Sequence, residues 1–87
     1  ITKALSNEWA GQGVNVNAIA PGYMATELTA NIKEVNPKQY EEITSRIPAG
    51  RWGRMEDLQG LAVFLASDAS AYISGAVIPV DGGFMGK

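Results

Sequence analysis

The chain has 87 residues, of which 46% are hydrophobic and 18% are charged, and its formal net charge at pH 7 is −2. That composition fits a small packed domain or part of a larger one, and it excludes an intrinsically disordered segment. The sequence contains no cysteine and no histidine, which excludes disulfides, thiolate or imidazole metal sites, and catalysis by either side chain.

The distribution of charged and apolar residues limits the kinds of partner that the protein could bind. The seven basic residues are scattered along the chain, so we expect no nucleic-acid partner, which would require a clustered positive surface. No apolar run approaches the roughly 20 residues that span a bilayer, and we expect a cytoplasmic protein with no membrane partner and no bound metal. The sequence opens in a helical pattern without an initiator Met, which indicates a fragment.

The first part of the chain has a helical pattern followed by a strand pattern. Ile1, Leu5 and Trp9 recur every four residues, which predicts an amphipathic helix with Trp9 on its apolar stripe. The β-branched run over residues 14–20 comes next, and Pro21-Gly22 interrupts it. We therefore predict a strand over 14–20 with a sharp end.

The middle of the chain is more polar, and its helix signals are local. Residues 26–32 predict one or two helical turns. Residues 37–43 predict a short helix that begins at a proline and is capped by Asn36. The segment over about 24–48 is polar enough to form a mobile flap, and a turn-rich connector over 47–53 follows it.

The last third predicts a helix and a second strand. Glu56 and Asp57 place negative charge at the start of an apolar helix that reaches Leu65. Residues 76–80 predict a strand, and Pro79 requires a sheet edge or an unpaired position because it cannot donate to a ladder. The strand–helix–strand order predicts the α/β class. Both strands are nearly all apolar, as in a doubly wound parallel sheet covered on two faces.

The candidate ligand site follows the first strand. In open parallel sheets, ligands bind beyond the carboxyl ends of the strands, and Pro21-Gly22 comes at such an end. Gly22 permits close approach of a ligand to the backbone, while free amides and the Thr26 hydroxyl could bond a carboxamide or a phosphate. A Pro-Gly pair after a strand is more often a plain turn, so both interpretations stay open on the residues alone.

Four blocks of the sequence resemble the classical short-chain dehydrogenases/reductases, in that family's order. The blocks are Asn-Ala-Ile-Ala-Pro-Gly-x-x-x-Thr at 17–26, the connector at 51–58, the stretch 64–75 and Val-Asp-Gly-Gly at 80–83. The likeness extends over nearly the whole chain, with these four blocks as its matching points. Residues 7–10, 18–26 and 47–53 are especially similar to the family branch of 2-deoxy-D-gluconate 3-dehydrogenases and gluconate 5-dehydrogenases.

The resemblance implies a cofactor, NAD or NADP, and the residues that would bind it. Pro21, Gly22 and Tyr23 would lie against the nicotinamide end of the cofactor. Met24 would address the carboxamide through its backbone, so its side chain is no obstacle. Thr26 would bond the carboxamide or the pyrophosphate through its hydroxyl.

The resemblance also implies a fold and a reaction. Residues 1–87 would be the C-terminal portion of a single NAD(P)-binding Rossmann-type domain, and residues 24–48 would form its substrate-side flap. The reaction would transfer hydride between nicotinamide and the hydroxyl or keto group of a small alcohol or ketone, with a sugar acid as the suggested substrate. In the resembling enzymes the last helix and strand also build subunit contacts, which implies a homodimer or homotetramer.

The family's catalytic groups are absent from this sequence. None of Tyr23, Tyr40 and Tyr72 is followed by a lysine four residues later, so the family's Tyr-x-x-x-Lys pair, and the catalytic Ser before it, are expected upstream. We therefore predict no catalytic side chain here and no activity from these residues alone. The alternative is a non-catalytic structural or oligomerisation fragment of the same scaffold.

Three other features have both a functional and a structural interpretation. Trp52 could stack on a ligand or pack within the protein, and the sequence does not favour either. The acidic pairs Glu41-Glu42 and Glu56-Asp57 are better explained by solvated helix faces and helix dipoles than by catalysis. Asp81-Gly82-Gly83 is better explained as a tight turn than as an anion-binding nest.

Overall fold

The computed structural model describes residues 1–86, without the side chain of Leu28. This part of the chain forms four helices and two strands. In chain order they are α1 (Thr2–Trp9), β1 (Ala18–Pro21), α2 (Glu27–Val35), α3 (Pro37–Arg46), α4 (Glu56–Leu65) and β2 (Val77–Val80). Short 3-10 turns occupy Ala10–Gln12, Asp68–Ser70 and Phe84–Gly86. Among residues 1–86, no helix combines the length and apolar character needed to cross a membrane.

The two strands form a parallel pair, which confirms the predicted α/β class. Ala18 pairs with Val77 and Pro21 pairs with Val80 at the two ends of the register. Three helices, α2 to α4, connect the strands. Because the strands are parallel, their carboxyl ends lie at the same edge of the sheet, beside the segments that follow each strand.

Both prolines of the sheet face away from the partner strand. Ala18 N donates to Ala76 O at 2.9 Å, and Gly22 N donates to Val80 O at 3.1 Å. Alternate residues of a parallel strand bond to the same neighbour, so Pro21 and Pro79 both fall on outward-facing positions. The predicted unpaired position of Pro79 is therefore confirmed.

Strand β1 is shorter than the predicted strand over 14–20, because the Asn17 side chain replaces the backbone ladder. Asn17 Nδ2 donates to Ile73 O at 3.0 Å, and Asn17 Oδ1 accepts from Ala76 N at 3.0 Å. These two bonds hold the chain before Ala18 against the loop that precedes β2. Side-chain bonding of this kind competes with regular pairing, which is why the β-branched pattern alone overextended the strand.

The helices of the middle segment are longer than the sequence predicts. Helix α2 extends to Val35, and α3 extends to Arg46. The predicted cap of α3 is confirmed, because Asn36 Oδ1 accepts from Gln39 N at 3.2 Å. Helix α2 begins after Thr26, whose backbone N–H donates to Thr29 Oγ1 at 2.7 Å.

Helix α1 is amphipathic as predicted, and it is joined to the loop before β2. Ser6 Oγ and Ser74 Oγ share a hydrogen bond of 2.6 Å. Gly75 has a φ of +80°, and a side chain at this position would also approach Ser6 Oγ within 3.2 Å. Trp9 lies on the predicted stripe but is 39% exposed, so within residues 1–86 it is not a core residue.

Candidate functional site

The segment after β1 leaves the sheet and then contacts the connector before α4. The ladder continues one residue beyond Pro21 through the bond from Gly22 N to Val80 O. The chain then forms a single parallel bridge between Met24 and Gly53. In that bridge Gly53 N donates to Tyr23 O at 2.9 Å, and Ala25 N donates to Gly53 O at 2.7 Å. The connector over 51–54 therefore supports the segment from one side.

A cleft of about 470 Å³ lies at the carboxyl ends of the two strands. We call it the strand-end cleft. Pro21, Gly22 and Tyr23 line it from the β1 side, and Asp81, Phe84 and Met85 line it from the β2 side. The structure thus brings three of the five predicted site residues to one cleft, at the edge where parallel sheets bind ligands.

The other two predicted site residues lie elsewhere. Thr26 lines a second cleft of about 550 Å³ together with residues of α2 and with Tyr40 and Trp52. We call it the flap cleft. Met24 lines neither cleft, and its sulfur lies against Gly53, where an added Cβ would come within 2.7 Å of it.

Two backbone amides of the segment have no acceptor within residues 1–86. The N–H groups of Tyr23 and Met24 make no hydrogen bond there, whereas those of Gly22, Ala25 and Thr26 each donate to a protein oxygen. The Met24 carbonyl is also used, because it accepts from Thr29 Oγ1 at 2.8 Å. Free donors on adjacent residues, of which Tyr23 lines the strand-end cleft, are suited to bind an acceptor such as a carboxamide oxygen or a phosphate.

Gly22 is required by protein packing. A Cβ at this position would lie 2.6 Å from Asp81 Cβ and 2.8 Å from Asp81 Cα. The sequence suggested that a ligand approaches the backbone closely at Gly22. In the structure, the chain that follows β2 makes this close approach instead. Glycine here lets the ends of the two strands meet, and their meeting forms one wall of the strand-end cleft.

Thr26 places its hydroxyl at the start of α2. Its Oγ1 lies 3.4 Å from Thr29 Oγ1, and its carbonyl accepts from Thr29 N at 3.1 Å. The side chain is exposed, and it lines the flap cleft. The hydroxyl can therefore bond a ligand in the flap cleft.

Trp52 is a structural residue of the connector. It is 5% exposed, and its ring stacks on Tyr40 with centroids 5.2 Å apart and an interplanar angle of 14°. The Tyr23 ring is also in contact, with its centroid 5.3 Å from that of Trp52, and Trp52 Nε1 donates to Thr44 Oγ1 at 2.9 Å. This packing favours the structural interpretation and joins the flap helix α3 to the segment after β1.

One carboxylate of each acidic pair is held by an arginine. Arg51 and Asp57 form a two-point ion pair at 2.8 and 3.1 Å, and Arg54 N donates to the same carboxylate at 2.7 Å. The Arg51 hydrogen bond and then the Arg54 amide lower the pKa of Asp57 from 3.8 to about 2. A carboxylate held ionised in this way is unsuited to proton transfer near neutral pH. Glu42 pairs with Arg46 on the surface of α3.

Asp81 lines the strand-end cleft, whereas its sequence context predicted only a tight turn. Its carboxylate accepts from Gly83 N at 2.9 Å and from Met85 N at 3.1 Å, so the turn is also present. The position of Asp81 directly after β2 could have indicated its place at the cleft, because both strand ends meet at one edge of a parallel sheet. No cluster of carboxylates able to hold a metal ion lies within the described residues.

Comparison with curated proteins gives close relatives. A 2-dehydro-3-deoxy-D-gluconate 5-dehydrogenase of Pseudoalteromonas atlantica is 56% identical over all 87 residues, which match 34% of that protein. An enzyme of the same name from Escherichia coli is 52% identical over the same length and share. The chain thus spans about a third of the length of these relatives.

Solved structures share the fold. One is described as a 2-deoxy-D-gluconate 3-dehydrogenase from Agrobacterium tumefaciens with bound NADP. It matches 99% of this chain and 35% of its own with a TM-score of 0.93 and 51% identity. Another is described as an NAD(P)-dependent gluconate 5-dehydrogenase from Beutenbergia cavernae. It matches with a TM-score of 0.92 and 55% identity over 99% of this chain and 34% of its own. The predicted portion of a Rossmann-type fold is confirmed.

A family model described as enoyl-(acyl carrier protein) reductase matches residues 1–85. That model, the two gluconate-related relatives and the two superposable structures all agree with the resemblance seen in the sequence. The chain belongs to the short-chain dehydrogenase/reductase family.

Proposed function

We propose that this chain forms the nicotinamide end of the cofactor site in an NAD(P)(H)-dependent oxidoreductase that acts on a hydroxyl or keto group of a sugar acid. The observation that carries the proposal is the pair of free N–H groups, within residues 1–86, on Tyr23, which lines the strand-end cleft, and on Met24, which follows it. The names of the relatives support the substrate class.

The residues present fit a nicotinamide. The Tyr23 and Met24 amides can donate to the oxygen of a carboxamide, and Pro21 and Tyr23 offer apolar surface on the same cleft. The bound cofactor would supply the hydride donor or acceptor. The role of this chain is then to orient the ring, which is a contribution of positioning.

We assign the substrate side to residues 24–48, as a flap. Residues of α2, Tyr40 of α3 and Trp52 of the connector line the flap cleft, and Thr26, which caps α2, lines it as well. Lys33 is the basic residue that lines the flap cleft, and its ammonium lies 5.6 Å from the centre of the Tyr40 ring. Glu27 and Glu34 line the same cleft, so Lys33 is the one group of this lining that could pair with the carboxylate of a sugar acid.

We propose that these 87 residues are inactive by themselves, because the sequence contains no Tyr-x-x-x-Lys pair to transfer the proton. The oxidoreductase would then act with that pair supplied from outside this sequence. We also propose a homo-oligomer and a cytoplasmic location, in line with the resemblance to the family.

A second candidate, a non-catalytic scaffold or oligomerisation fragment, has one observation in its favour. Val63 on α4 and Val77 on β2 are 69% and 53% exposed, although both are apolar residues of regular secondary structure. Such a face fits contact with further protein surface. It also agrees with the first proposal, because an oxidoreductase subunit can use the same face.

The test is a titration of the intact enzyme with NADH and with NADPH, followed by turnover of 2-dehydro-3-deoxy-D-gluconate-type sugar acids. We expect saturable binding of one or both dinucleotides and turnover of at least one such acid. Binding without any turnover across alcohols and ketones would favour the scaffold. Neither binding nor turnover would refute the oxidoreductase. The isolated 87-residue polypeptide should show no saturable binding of NADH.

A further inference from the structure

We propose that the ion pair between Arg51 and Asp57 is a positioning device that keeps the Tyr23 and Met24 amides directed at the nicotinamide end of the cofactor. The inference rests on the proposed function and extends it, because the pair itself lies outside the strand-end cleft. Its effect is transmitted by the backbone of the connector.

The pair immobilises the connector at three points. The guanidinium of Arg51 contacts both oxygens of Asp57, at 2.8 and 3.1 Å, and Arg51 Nη1 also donates to Trp52 O at 3.1 Å. Asp57 Oδ2 accepts in addition from Arg54 N at 2.7 Å. The peptide units on both sides of Gly53 are therefore bonded to one arginine–aspartate unit. A planar two-point contact defines orientation as well as distance.

Gly53 passes this restraint to the candidate site. Its N–H donates to Tyr23 O, and its carbonyl accepts from Ala25 N. These two bonds flank Met24. The bond to Tyr23 O fixes the peptide plane that carries the Met24 N–H, and it holds Tyr23 at its carbonyl, one peptide plane after the Tyr23 N–H. Gly53 also lies against the Met24 side chain, since a Cβ on Gly53 would come within 2.7 Å of Met24 Sδ. A shift of the connector must therefore move the segment 23–25.

Because the pair is partly exposed, its role in positioning can be tested separately from its contribution to the free energy of unfolding. The side chains of Arg51 and Asp57 are 51% and 32% exposed, and ion pairs in contact with water contribute little to the free energy of unfolding. Removal of the pair should therefore leave a folded enzyme. Its effect should appear where orientation of the two amides matters.

The experiment compares two ligands that share one end. NADPH carries the nicotinamide, whereas 2′-phospho-ADP-ribose keeps the rest of the dinucleotide without it; NADH and ADP-ribose serve if the enzyme prefers NAD. Calorimetric titration of the intact enzyme gives both affinities. For Arg51→Gln and for Asp57→Asn we expect a loss of about five- to tenfold for NADPH, the range of a coupled site. We expect less than about twofold for 2′-phospho-ADP-ribose.

A second readout needs no ligand. Hydrogen exchange of a peptide covering residues 21–26 should be faster in both variants of the cofactor-free enzyme, because the bridge to Gly53 loosens. The control is Lys3→Gln, which removes another exposed basic side chain and its bond to Gly75 O, outside the flap. That control should change neither the affinities nor the exchange.

The results distinguish the inference from the proposal beneath it. Equal loss of affinity for both ligands, or unchanged affinity and exchange in the two variants, overturns the positioning role. If Arg51→Gln does not fold, Asp57→Asn decides by the same criteria. If the parent enzyme binds neither NADPH nor NADH, the proposed function fails, and the inference fails with it.

Discussion

Gly22 and Asp81 meet across the carboxyl ends of the two strands, so closely that a methyl group on Gly22 would lie 2.6 Å from Asp81 Cβ. We expect Gly22→Ala to force the strand ends apart and to lower the free energy of unfolding by about 1–3 kcal/mol, the usual effect of overpacking. Cofactor affinity should fall as well, because the wall of the cleft moves. Chemical denaturation and dinucleotide titration measure the two effects.

Gly11→Ala is the control for this substitution. An added Cβ at Gly11 meets no atom within 4 Å, and its φ is not positive. Its stability should be unchanged or slightly higher, since alanine restricts the unfolded chain. Equal stability of the two variants would contradict the proposed contact between the strand ends.

Trp52 should be the most costly side chain to truncate in the connector. Its ring is almost fully buried against Tyr40 and Tyr23, and its N–H bonds Thr44. Trp52→Ala should lower the free energy of unfolding by about 3–5 kcal/mol, as for other buried aromatic residues. Trp9→Ala, at a partly exposed position, should cost clearly less in the same urea titration. The reverse order would contradict the assignment of Trp52 to the core and of Trp9 to a partly exposed position.

Asn17 should behave as part of the backbone ladder. Asn17→Ala removes bonds to both Ile73 and Ala76, and at about 0.5–1.5 kcal/mol for each bond the loss should be about 1–3 kcal/mol. Asn15→Ala, which removes one exposed bond to Ala71 O, is the control and should cost less. Thermal melts of the two variants give the comparison, and similar melting temperatures would refute this role.

The lowered pKa of Asp57 predicts that the free energy of unfolding depends on pH in the acidic range. Its folded-state pKa is lowered from 3.8 to about 2 by the Arg51 and Arg54 hydrogen bonds. A group with a depressed folded pKa stabilises the fold above its unfolded pKa, and this contribution is lost as pH falls through the folded pKa. Asp57→Asn should therefore be less stable than the parent near neutrality. The difference should shrink between about pH 4 and pH 2, in denaturation curves recorded across that range.

Local signals in the sequence were reliable where the structure depends on near neighbours. The cap at Asn36 and the acidic start of α4 involve residues three or four positions apart, so a linear pattern contains them. The outward position of Pro79 was also predictable, because proline lacks a donor in any sheet. The strand-end site followed from the parallel topology, which placed Pro21 and Tyr23 at one edge.

The features that the sequence did not reveal depend on distant partners. The shortened β1 results from bonds between Asn17 and a loop more than fifty residues later. The packing of Trp52 needs Tyr23 and Tyr40 from two other elements. The separation of Thr26 from Pro21 into different clefts depends on the path of the chain around Gly53. No pattern of neighbouring residues encodes such contacts.

The outward prolines also affect the chain while it folds. A short, apolar parallel pair is open to edge-to-edge addition by other copies, the first step of amyloid-like growth. Pro21 on one strand and Pro79 on the other each interrupt the row of donors at an outer edge. We therefore expect each proline to hinder the addition of another chain at its outer edge.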